Sequence, residues 1–264
     1  MTPAALRYYF RSLATLLRGV RNLPAVAWQL AARRGSDTAT IRVVLAGGLR
    51  FDLRRLLDLW VLKEVVLDRE YQRLGPEIAA GWRVVDIGAA HGEFAIPAAL
   101  RVGAGRVVAV EPSPRACALL RSNAALNGAA RVEVVELAVG ARAGTVRLAL
   151  AARGTMENST VVAGAATTIP VAMVSLEGLF ERAAVDRCDY LKIDCEGGEF
   201  DILLPAADAT LQRIARICLE YHDNVTVHRH DALARRLADA GFAVRTLAHP
   251  VVAGQGWLYA ERLS

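Results

Sequence analysis

Two neighbouring stretches constrain the fold of this chain more than any other feature. Each is an apolar strand pattern that ends in a turn. The first, residues 84–92, reads VVDIGAAHG, with glycines at positions 88 and 92. The second, residues 107–112, reads VVAVEP and carries the acid Glu111 about one strand–helix unit later. Glycine permits a sharp turn and close approach of a ligand, and a carboxylate at the next strand tip can accept both hydroxyls of a ribose. The pair therefore indicates an α/β fold with a nucleoside site.

The spacing in the first stretch indicates which nucleoside this layout favours. A dinucleotide site typically reads G-x-G-x-x-G and receives a pyrophosphate at a helix N-terminus, whereas this chain reads D-x-G-x-x-x-G from Asp86 to Gly92. The Asp86 carboxylate would repel a pyrophosphate and attract a cationic ligand that carries an amino acid. S-adenosylmethionine therefore fits better than NAD. Glycine turns also occur in buried βα units that bind no ligand, so the turn alone could serve only the packing of the fold. The acid Glu111 at the tip of the next strand argues against that interpretation.

The rest of the chain alternates between strand and helix patterns, which predicts a parallel sheet. Strands are predicted at residues 82–87, 106–110, 131–136 and 216–222, helices at 56–75, 93–102 and 114–127, and a hairpin at 41–45 and 49–53. Because Pro97 lies inside a helix pattern, we expect that helix to be bent or to begin late. Residues 145–150 and 169–174 predict an inserted hairpin, and its polar loop, including residues 153–160, is typical of a lid.

A second informative stretch, YLKIDCEGGEF at residues 190–200, places several acids after a strand. Asp194, Glu196 and Glu199 are costly there unless they face solvent, a cation or a substrate. The alternative is that Asp194 caps the following helix and that the glutamates complement its dipole. In the next strand, Glu220 and His222 are two residues apart and therefore share a face.

Composition limits the class of protein. With 264 residues, 54% of them hydrophobic, the chain suits one large domain with an appendage. It lacks an apolar run of the roughly 18 residues that span a bilayer, and it lacks a signal-peptide pattern, so we expect a cytoplasmic location. The four cysteines form no C-x-x-C pair and indicate neither a zinc ribbon nor a disulfide framework.

The net charge of +5 is concentrated near the N-terminus, where residues 1–36 contain arginines at 7, 11, 18, 21, 33 and 34 and no acid. This pattern predicts a basic amphipathic helix that ends or kinks at Pro24. Its apolar face comprises Leu6, Tyr9, Phe10, Leu13, Leu16, Leu17 and Val20. The segment is expected either to contact the inner membrane surface peripherally, to hold an anionic substrate, or to pack on the core or on a second subunit of a homodimer.

The order of the motifs VVDIGAAHG, VVAVEPSP, SNAALNG, YLKIDCEGGEFDIL and LEYH resembles the FkbM-type S-adenosylmethionine-dependent methyltransferases, typically O-methyltransferases of sugars and natural products. The resemblance runs from about Val61 to the C-terminus. It implies the class I methyltransferase fold, a Rossmann-like α/β sheet of seven strands with helices on both faces, an antiparallel last strand and a closing hairpin at 243–247 and 256–260. The chain would then comprise a basic segment (1–36), a hairpin and helix packed on the core (37–75) and a methyltransferase domain (76–264) with an insertion at about 140–187.

In such a fold, the strands that end at Asp86, Glu111, Asp194 and His222 deliver their tips to one crevice. The residues expected to bind the cofactor are Asp86, Gly88, His91, Gly92 and Phe94 near the methionine, Glu111 and Pro112 at the ribose, and Glu136, Leu137 and Ala138 at the adenine. Glu196, Glu199 and Glu220 are expected to bind the acceptor, a small molecule, a glycan or a glycolipid. His222 and Asp194 are the candidates for the general base, and histidine has the more suitable ordinary pKa.

Other interpretations stay open. The acidic residues and His222 could ligate a divalent metal, although their spacing matches no closed metal motif and no metal is expected. An NAD-dependent oxidoreductase is disfavoured by the spacing around Asp86. A nucleic-acid methyltransferase is disfavoured because the chain lacks an Asn-Pro-Pro-Tyr motif and interleaved basic and aromatic residues, so no nucleic acid partner is expected. A non-catalytic binding protein would lack the polar acceptor face.

Overall fold

The computed structural model describes residues 3–32, 40–149 and 168–263, and the predicted lid at residues 153–160 lies outside them. The N-terminal part consists of two helices, a hairpin and an irregular helical segment. These elements are α1 (Pro3–Gly19), α2 (Leu23–Ala32), β1 (Ile41–Val44), β2 (Arg50–Leu53) and α3 (Leu56–Leu62), followed by a π turn (Lys63–Leu67) and a 3₁₀ turn (Glu70–Gln72). Pro24 lies in the first turn of α2, where the absence of its N–H costs no helical hydrogen bond. Pro24 therefore stands at the start of a second helix.

The rest of the chain builds the central sheet and the helices that cover it. In chain order, the elements are β3 (Arg83–Ile87), α4 (Ala95–Val102), β4 (Arg106–Val110), α5 (Pro114–Leu126), β5 (Val132–Val135), β6 (Ala138–Val139), β7 (Gly144–Ala149), β8 (Thr168–Val174), α6 (Leu176–Arg182), β9 (Tyr190–Ile193), α7 (Glu199–Leu203), α8 (Asp208–Leu211), β10 (Arg216–His222), α9 (His230–Asp239), β11 (Phe242–Ala248) and β12 (Gln255–Arg262). Because α4 begins at Ala95, Pro97 falls in its first turn, and the late start is confirmed.

Seven strands form the central sheet in the order β11–β12–β10–β9–β3–β4–β5. β12 runs antiparallel to both of its neighbours, whereas the pairs from β10 to β5 are parallel. The α/β fold with an antiparallel last strand is therefore confirmed. β6, β7 and β8 form a separate sheet in which β7 and β8 pair antiparallel, as expected for the inserted hairpin.

Both faces of the central sheet are covered, because successive strand residues point to opposite sides. In β3, Val84 packs in one apolar cluster together with Ile96 of α4. Its neighbour Val85 packs in the other cluster, together with Leu179 and Phe180 of α6. The strands are therefore held firmly on both sides, and their carboxyl ends are left to form a site.

The helix predicted over residues 56–75 is shorter and interrupted. The regular helix ends at Leu62, a wider π turn follows, and Arg69 adopts a left-handed conformation with φ of +57°, which a right-handed helix cannot continue through. The π turn places the fully buried Lys63 beside two carboxylates, with Nζ 3.4 Å from Glu64 and 3.0 Å from Asp68. The interruption thus forms a buried charge cluster.

Helix α1 docks on this charge cluster through polar contacts. The Tyr8 hydroxyl donates to Glu64, and the indole N–H of Trp60 donates to the same carboxylate at 2.7 Å. Thr15 donates from its hydroxyl to Asp68 at 3.0 Å. The N-terminal segment therefore packs on the core through these polar contacts, together with apolar residues such as Leu16 and Val26. In the described part of the chain, no helix is long and apolar enough to cross a bilayer.

Candidate active site

An open cavity of about 840 Å³ lies at the carboxyl ends of β3, β4 and β9, at the switch point of the sheet. Its wall is largely apolar with a few convergent polar groups, the usual composition of a small-molecule site. The described residues that line it include Gly88, Ala90, Phe94, Glu111, Pro112, Leu137, Ala138, Lys192, Asp194 and Glu196. We call it the cofactor cavity, because most of the residues predicted for the cofactor meet there.

Gly88 turns the chain directly against the end of β9. Its φ is +77°, and a Cβ at this position would lie 1.8 Å from the carbonyl oxygen of Asp194. No side chain fits such a gap unless the backbone moves. Lys192 holds the turn, since its Nζ donates to the Gly88 carbonyl oxygen at 2.9 Å. Glycine here allows β3 and β9 to approach each other and keeps the cavity open for a ligand.

Asp86 lies beneath this turn, outside the wall of the cofactor cavity. It is fully buried and pairs with Lys192 across the β3–β9 ladder, with Oδ1 3.0 Å from Nζ. Burial raises the pKa of Asp86 to about 6, although the nearby ammonium group opposes this shift. The sequence predicted direct contact of Asp86 with the cofactor, and this prediction is corrected because Asp86 lies outside the cavity wall. Asp86 holds Lys192, and Lys192 reaches the cavity.

Glu111 stands at the tip of β4, as predicted, and its carboxylate faces the cofactor cavity. One carboxylate oxygen accepts the backbone N–H of Ala90 at 3.1 Å, and the other accepts that of Ser113 at 2.9 Å. These bonds fix the orientation of the carboxylate and leave lone pairs on both oxygens. Burial raises the pKa of Glu111, and the two backbone bonds counteract that effect. The arrangement fits the two hydroxyls of a ribose.

Three residues predicted for the cofactor lie elsewhere. The His91 ring is turned away, with Nδ1 3.2 Å from a Glu93 oxygen. Gly92, with φ of +94°, packs closely against Ile96 of α4 and serves the architecture of the turn. Glu136 is half exposed and lies 3.6 Å from Arg121. These positions correct the expected contacts. His91 and Gly92, in the turn after β3, lie against Glu93 and Ile96, whereas Glu136 follows β5 and lies near Arg121 of α5.

A second cavity of about 1170 Å³ adjoins the first and shares Val61, Val65, Asp194 and Glu196 with it. We call it the acceptor cavity. Aromatic rings from α1, α3 and the 3₁₀ turn face carboxylates from the ends of β9 and β10. The polar and aromatic residues in its wall are Tyr8, Tyr9, Trp60, Glu64, Glu70, Tyr71, Asp194, Glu196, Glu220, His222 and His249. The two cavities therefore meet near Asp194 and Glu196.

Asp194 borders both cavities, which is the position expected of a group that acts on the reacting atoms. Its Oδ2 accepts the hydroxyl hydrogen of Tyr71 at 2.7 Å and lies 3.9 Å from Lys192 Nζ. Burial and the charge of Asp194 raise the pKa of Tyr71 well above its ordinary value, so this hydroxyl remains a donor. The Tyr71 ring packs on Phe94, and this contact fixes its position.

His222 is almost fully buried between two glutamates. Its backbone N–H donates to Glu199 Oε1 at 2.7 Å, its Nδ1 lies 3.2 Å from the same oxygen, and its Nε2 lies 3.6 Å from Glu196. Burial lowers the pKa of His222, but the bond to Glu199 and the charges of Asp194, Glu199 and Glu196 outweigh burial and raise it to about 10. At neutral pH the ring is an imidazolium, which corrects its expected role as a base.

Glu199 lies behind His222, away from the acceptor cavity. It is fully buried, and besides its contacts with His222 it accepts the backbone N–H of Gly197 at 2.9 Å. The sequence predicted that Glu199 contacts the acceptor. This prediction is corrected, because the first turn of α7 points the side chain into the protein. Glu199 instead orients and charges His222.

Glu220 lines the acceptor cavity, as predicted. Burial, followed by the charge of Asp194, raises the pKa of Glu220 well above its ordinary value. Among the described residues, Asp194, Glu220 and His222 could hold a metal ion, since one ligand atom of each lies within 4.8 Å of the others. A metal would have to displace a proton from the His222 imidazolium. That no metal takes part stays a prediction.

The sequence reasoning missed the aromatic part of the acceptor wall and the role of Lys192. Tyr8 and Trp60 reach the wall from helices that precede the sheet, and Tyr71 comes from an irregular turn. A detectable signal existed for Lys192, since a lysine in an otherwise apolar strand needs a buried partner, and Asp86 is the buried acid of the neighbouring strand.

Residues 86–244 match the family described as the methyltransferase FkbM domain. The chain is 28% identical over 259 residues to the AMB antimetabolite synthetase AmbE of Pseudomonas aeruginosa, an alignment that covers 83% of this chain and only 12% of AmbE. It is 28% identical over 215 residues to the 31-O-demethyl-FK506 methyltransferase FkbM of Streptomyces tacrolimicus, covering 70% of this chain and 79% of that protein.

Among solved structures, fibrillarin from Aeropyrum pernix with natively bound S-adenosyl-L-methionine is similar, with a TM-score of 0.49 and 12% identity over 88% of this chain and 86% of fibrillarin. The family match covers more than half of this chain and includes both the Gly88 turn and the Asp194 motif. The Gly88 turn and the oriented carboxylate of Glu111 fit the cofactor of that family. The chain belongs to the FkbM methyltransferase domain family, and its cofactor is S-adenosylmethionine.

Proposed function

We propose that this methyltransferase acts on a hydroxyl oxygen of a sugar or another polyhydroxylated natural product. The observation that carries the proposal is the acceptor cavity, whose wall combines aromatic rings with carboxylates and meets the cofactor cavity at Asp194. Such a wall suits a ligand that has apolar C–H faces and many hydroxyl groups.

The rings of Tyr8, Tyr9, Trp60 and Tyr71 offer flat apolar surfaces, on which the C–H face of a sugar ring can pack. Glu196 offers carboxylate oxygens that accept hydrogen bonds from hydroxyl groups. Glu220 lines the same wall and offers a second carboxyl group to the hydroxyls. The excess of carboxylates disfavours acceptors with phosphate groups at this wall, including nucleic acid. A neutral polyhydroxylated acceptor therefore fits the cavity best.

Transfer of a methyl group to a hydroxyl forms a C–O bond, breaks the C–S bond of the donor and releases the hydroxyl proton. S-adenosylmethionine, when bound, supplies the methyl group on a cationic sulfur. Asp194 borders both cavities and is the group proposed to take the proton, a contribution of about 10²- to 10⁴-fold in rate. Tyr71 orients the Asp194 carboxylate by its hydrogen bond.

The remaining site residues hold the reactants in line. Lys192 fixes the Gly88 turn, and Glu111 is oriented for the ribose. His222, as an imidazolium, forms an ion pair with Glu196, with Nε2 3.6 Å from the carboxylate. Positioning of this kind contributes up to roughly 7–11 kcal/mol to a two-reactant displacement. The name of the Streptomyces tacrolimicus relative describes methylation of an O-demethylated compound, which supports oxygen as the acceptor atom.

Two experiments test the proposal. Calorimetric titration with S-adenosylmethionine, S-adenosylhomocysteine and NAD should give micromolar binding of the two adenosyl compounds and none of NAD. A screen of hydroxylated acceptors with a radiolabelled methyl donor should then give an alkali-stable methyl ether. Transfer to an amine in preference to a hydroxyl would contradict the O-methyl assignment.

The proton-transfer role is tested by two isosteric amides. Asp194→Asn removes the proposed base and should lower kcat by about 10²- to 10⁴-fold. Asp201→Asn changes an exposed carboxylate of α7 that lines neither cavity and should leave kcat unchanged, so it is the matched control. Equal losses in the two variants would refute Asp194 as the base.

A further inference from the structure

Helix α1 presents three different faces. Ala5 and Ser12 are buried, and Tyr8 and Thr15 contact the core. This face is mainly small and polar, and Leu16 adds an apolar contact with the core. The docking of α1 therefore leaves most of its large apolar side chains for another surface.

Those side chains form an exposed stripe of Leu6, Phe10, Leu13 and Leu17, which we call the α1 stripe. Their spacing of four, three and four residues places them on one side of the helix. Each is between 46% and 66% exposed. The apolar face expected from the sequence is thus divided, because Leu16 and Val20 pack on the core whereas the α1 stripe faces outward.

Exposed arginines lie along the edge of the α1 stripe. Arg7, Arg11 and Arg18 share one side of the helix, at spacings of four and seven residues, and all three are exposed. Residues 1–36 contain no acid. An apolar stripe with a basic edge is the pattern of helices that lie in an anionic membrane interface.

The acceptor cavity opens beside this helix. Tyr9 lies between the buried face and the α1 stripe, and it also lines the acceptor cavity. Val252, which also lines this cavity, is exposed as well. A surface that covers the α1 stripe would therefore lie next to the mouth of the acceptor cavity.

We propose that α1 docks the protein on an anionic lipid bilayer, with the α1 stripe among the acyl chains and the arginines at the head-group phosphates. The acceptor would then be a hydroxyl of a lipid-linked sugar at the bilayer surface, a statement that rests on the proposed function. A second copy of this chain is a poorer occupant, since the basic edge finds no acid on the same segment of a partner helix.

Vesicle co-sedimentation of the full chain tests the docking without any need for catalysis. Wild-type protein should sediment with vesicles that contain phosphatidylglycerol and stay in solution with pure phosphatidylcholine. Leu13→Glu should weaken binding by about tenfold to a hundredfold. The matched control is Leu100→Glu, because Leu100 of α4 is exposed to a similar extent and should leave binding unchanged.

The basic edge is tested by replacing Arg7, Arg11 and Arg18 together with glutamine. Each arginine near an anionic surface contributes about fivefold in affinity, so the triple variant should bind on the order of a hundredfold more weakly. Titration with S-adenosylmethionine should give wild-type affinity in every variant, which shows that the fold is intact.

Equal sedimentation of wild type, Leu13→Glu and the triple arginine variant would overturn the proposal. A wild-type dimer in light scattering that Leu13→Glu converts to monomer, without vesicle binding, would assign the α1 stripe to a second copy and also overturn it. Vesicle binding without methyl transfer to a vesicle-borne glycolipid would refute only the lipid-linked acceptor. Failure to bind S-adenosylmethionine would instead refute the proposed function.

Discussion

The buried pair of Asp86 and Lys192 offers a quantitative test of how the cofactor turn is held. Lys192→Met keeps the length and volume of the side chain and removes its charge. It leaves the Asp86 carboxylate, which is fully buried, without its cation at 3.0 Å. It also removes the hydrogen bond from Lys192 to the Gly88 carbonyl oxygen.

The cost can be worked out from these contacts. Removing one partner of a buried ion pair costs about 3–5 kcal/mol, and the lost hydrogen bond adds about 1 kcal/mol. Asp86 can escape part of this cost by binding a proton. Its pKa in the folded protein is about 6, raised from 3.8, so its stabilising contribution is complete below pH 3.8 and is lost as the pH rises through about 6. Without Lys192 the folded pKa rises further, and this loss continues to higher pH.

Urea unfolding followed by tryptophan fluorescence, at pH 6 and pH 8, measures the effect. The free energy of unfolding of Lys192→Met should fall by several kcal/mol at pH 8 and by less at pH 6. The double variant Asp86→Asn with Lys192→Met should recover most of the loss, since no buried charge remains. A deficit below about 1 kcal/mol at pH 8, or one that is independent of pH, would refute the reasoning.

Two further predictions concern the turn and the imidazolium. Gly88→Ala should abolish measurable S-adenosylmethionine binding in calorimetry, because its Cβ would lie 1.8 Å from the Asp194 carbonyl oxygen. The control is Gly81→Ala, which has a similar φ of +82° and open space around it and should cost only about 1–2 kcal/mol of stability. Similar binding in both variants would count against a steric role. Glu199→Gln should lower the pKa of His222 from about 10. The wild type loses the stability contributed by this imidazolium as the pH rises from 6.5 through 10, and the variant should lose it at lower pH, as measured by NMR titration of the ring and by urea unfolding. An unchanged His222 titration would show that Glu199 does not set its charge.

Patterns that act over a few residues determined much of this protein from sequence. The alternation of strands and helices, the glycine at position 88 and the acid at position 111 each depend on backbone geometry or on the place where a strand ends. They predicted the sheet, the switch point and the ribose carboxylate, and the structure brings Gly88 and Glu111 to one cavity. The late start of the helix that contains Pro97 has an equally local cause.

The tertiary structure alone decided which groups meet across long separations and what charge they carry. Tyr71 and Asp194 are 123 residues apart in sequence, and their hydrogen bond depends on how the irregular segment after α3 folds over the sheet. His222 has a suitable ordinary pKa for a base, but the carboxylates packed around it make it an imidazolium. Likewise, the sequence predicted an amphipathic helix α1, but only its docking on Glu64 and Asp68 decided that the α1 stripe faces outward. Electrostatic and packing energies depend on distance in space, and distance along the chain does not determine them.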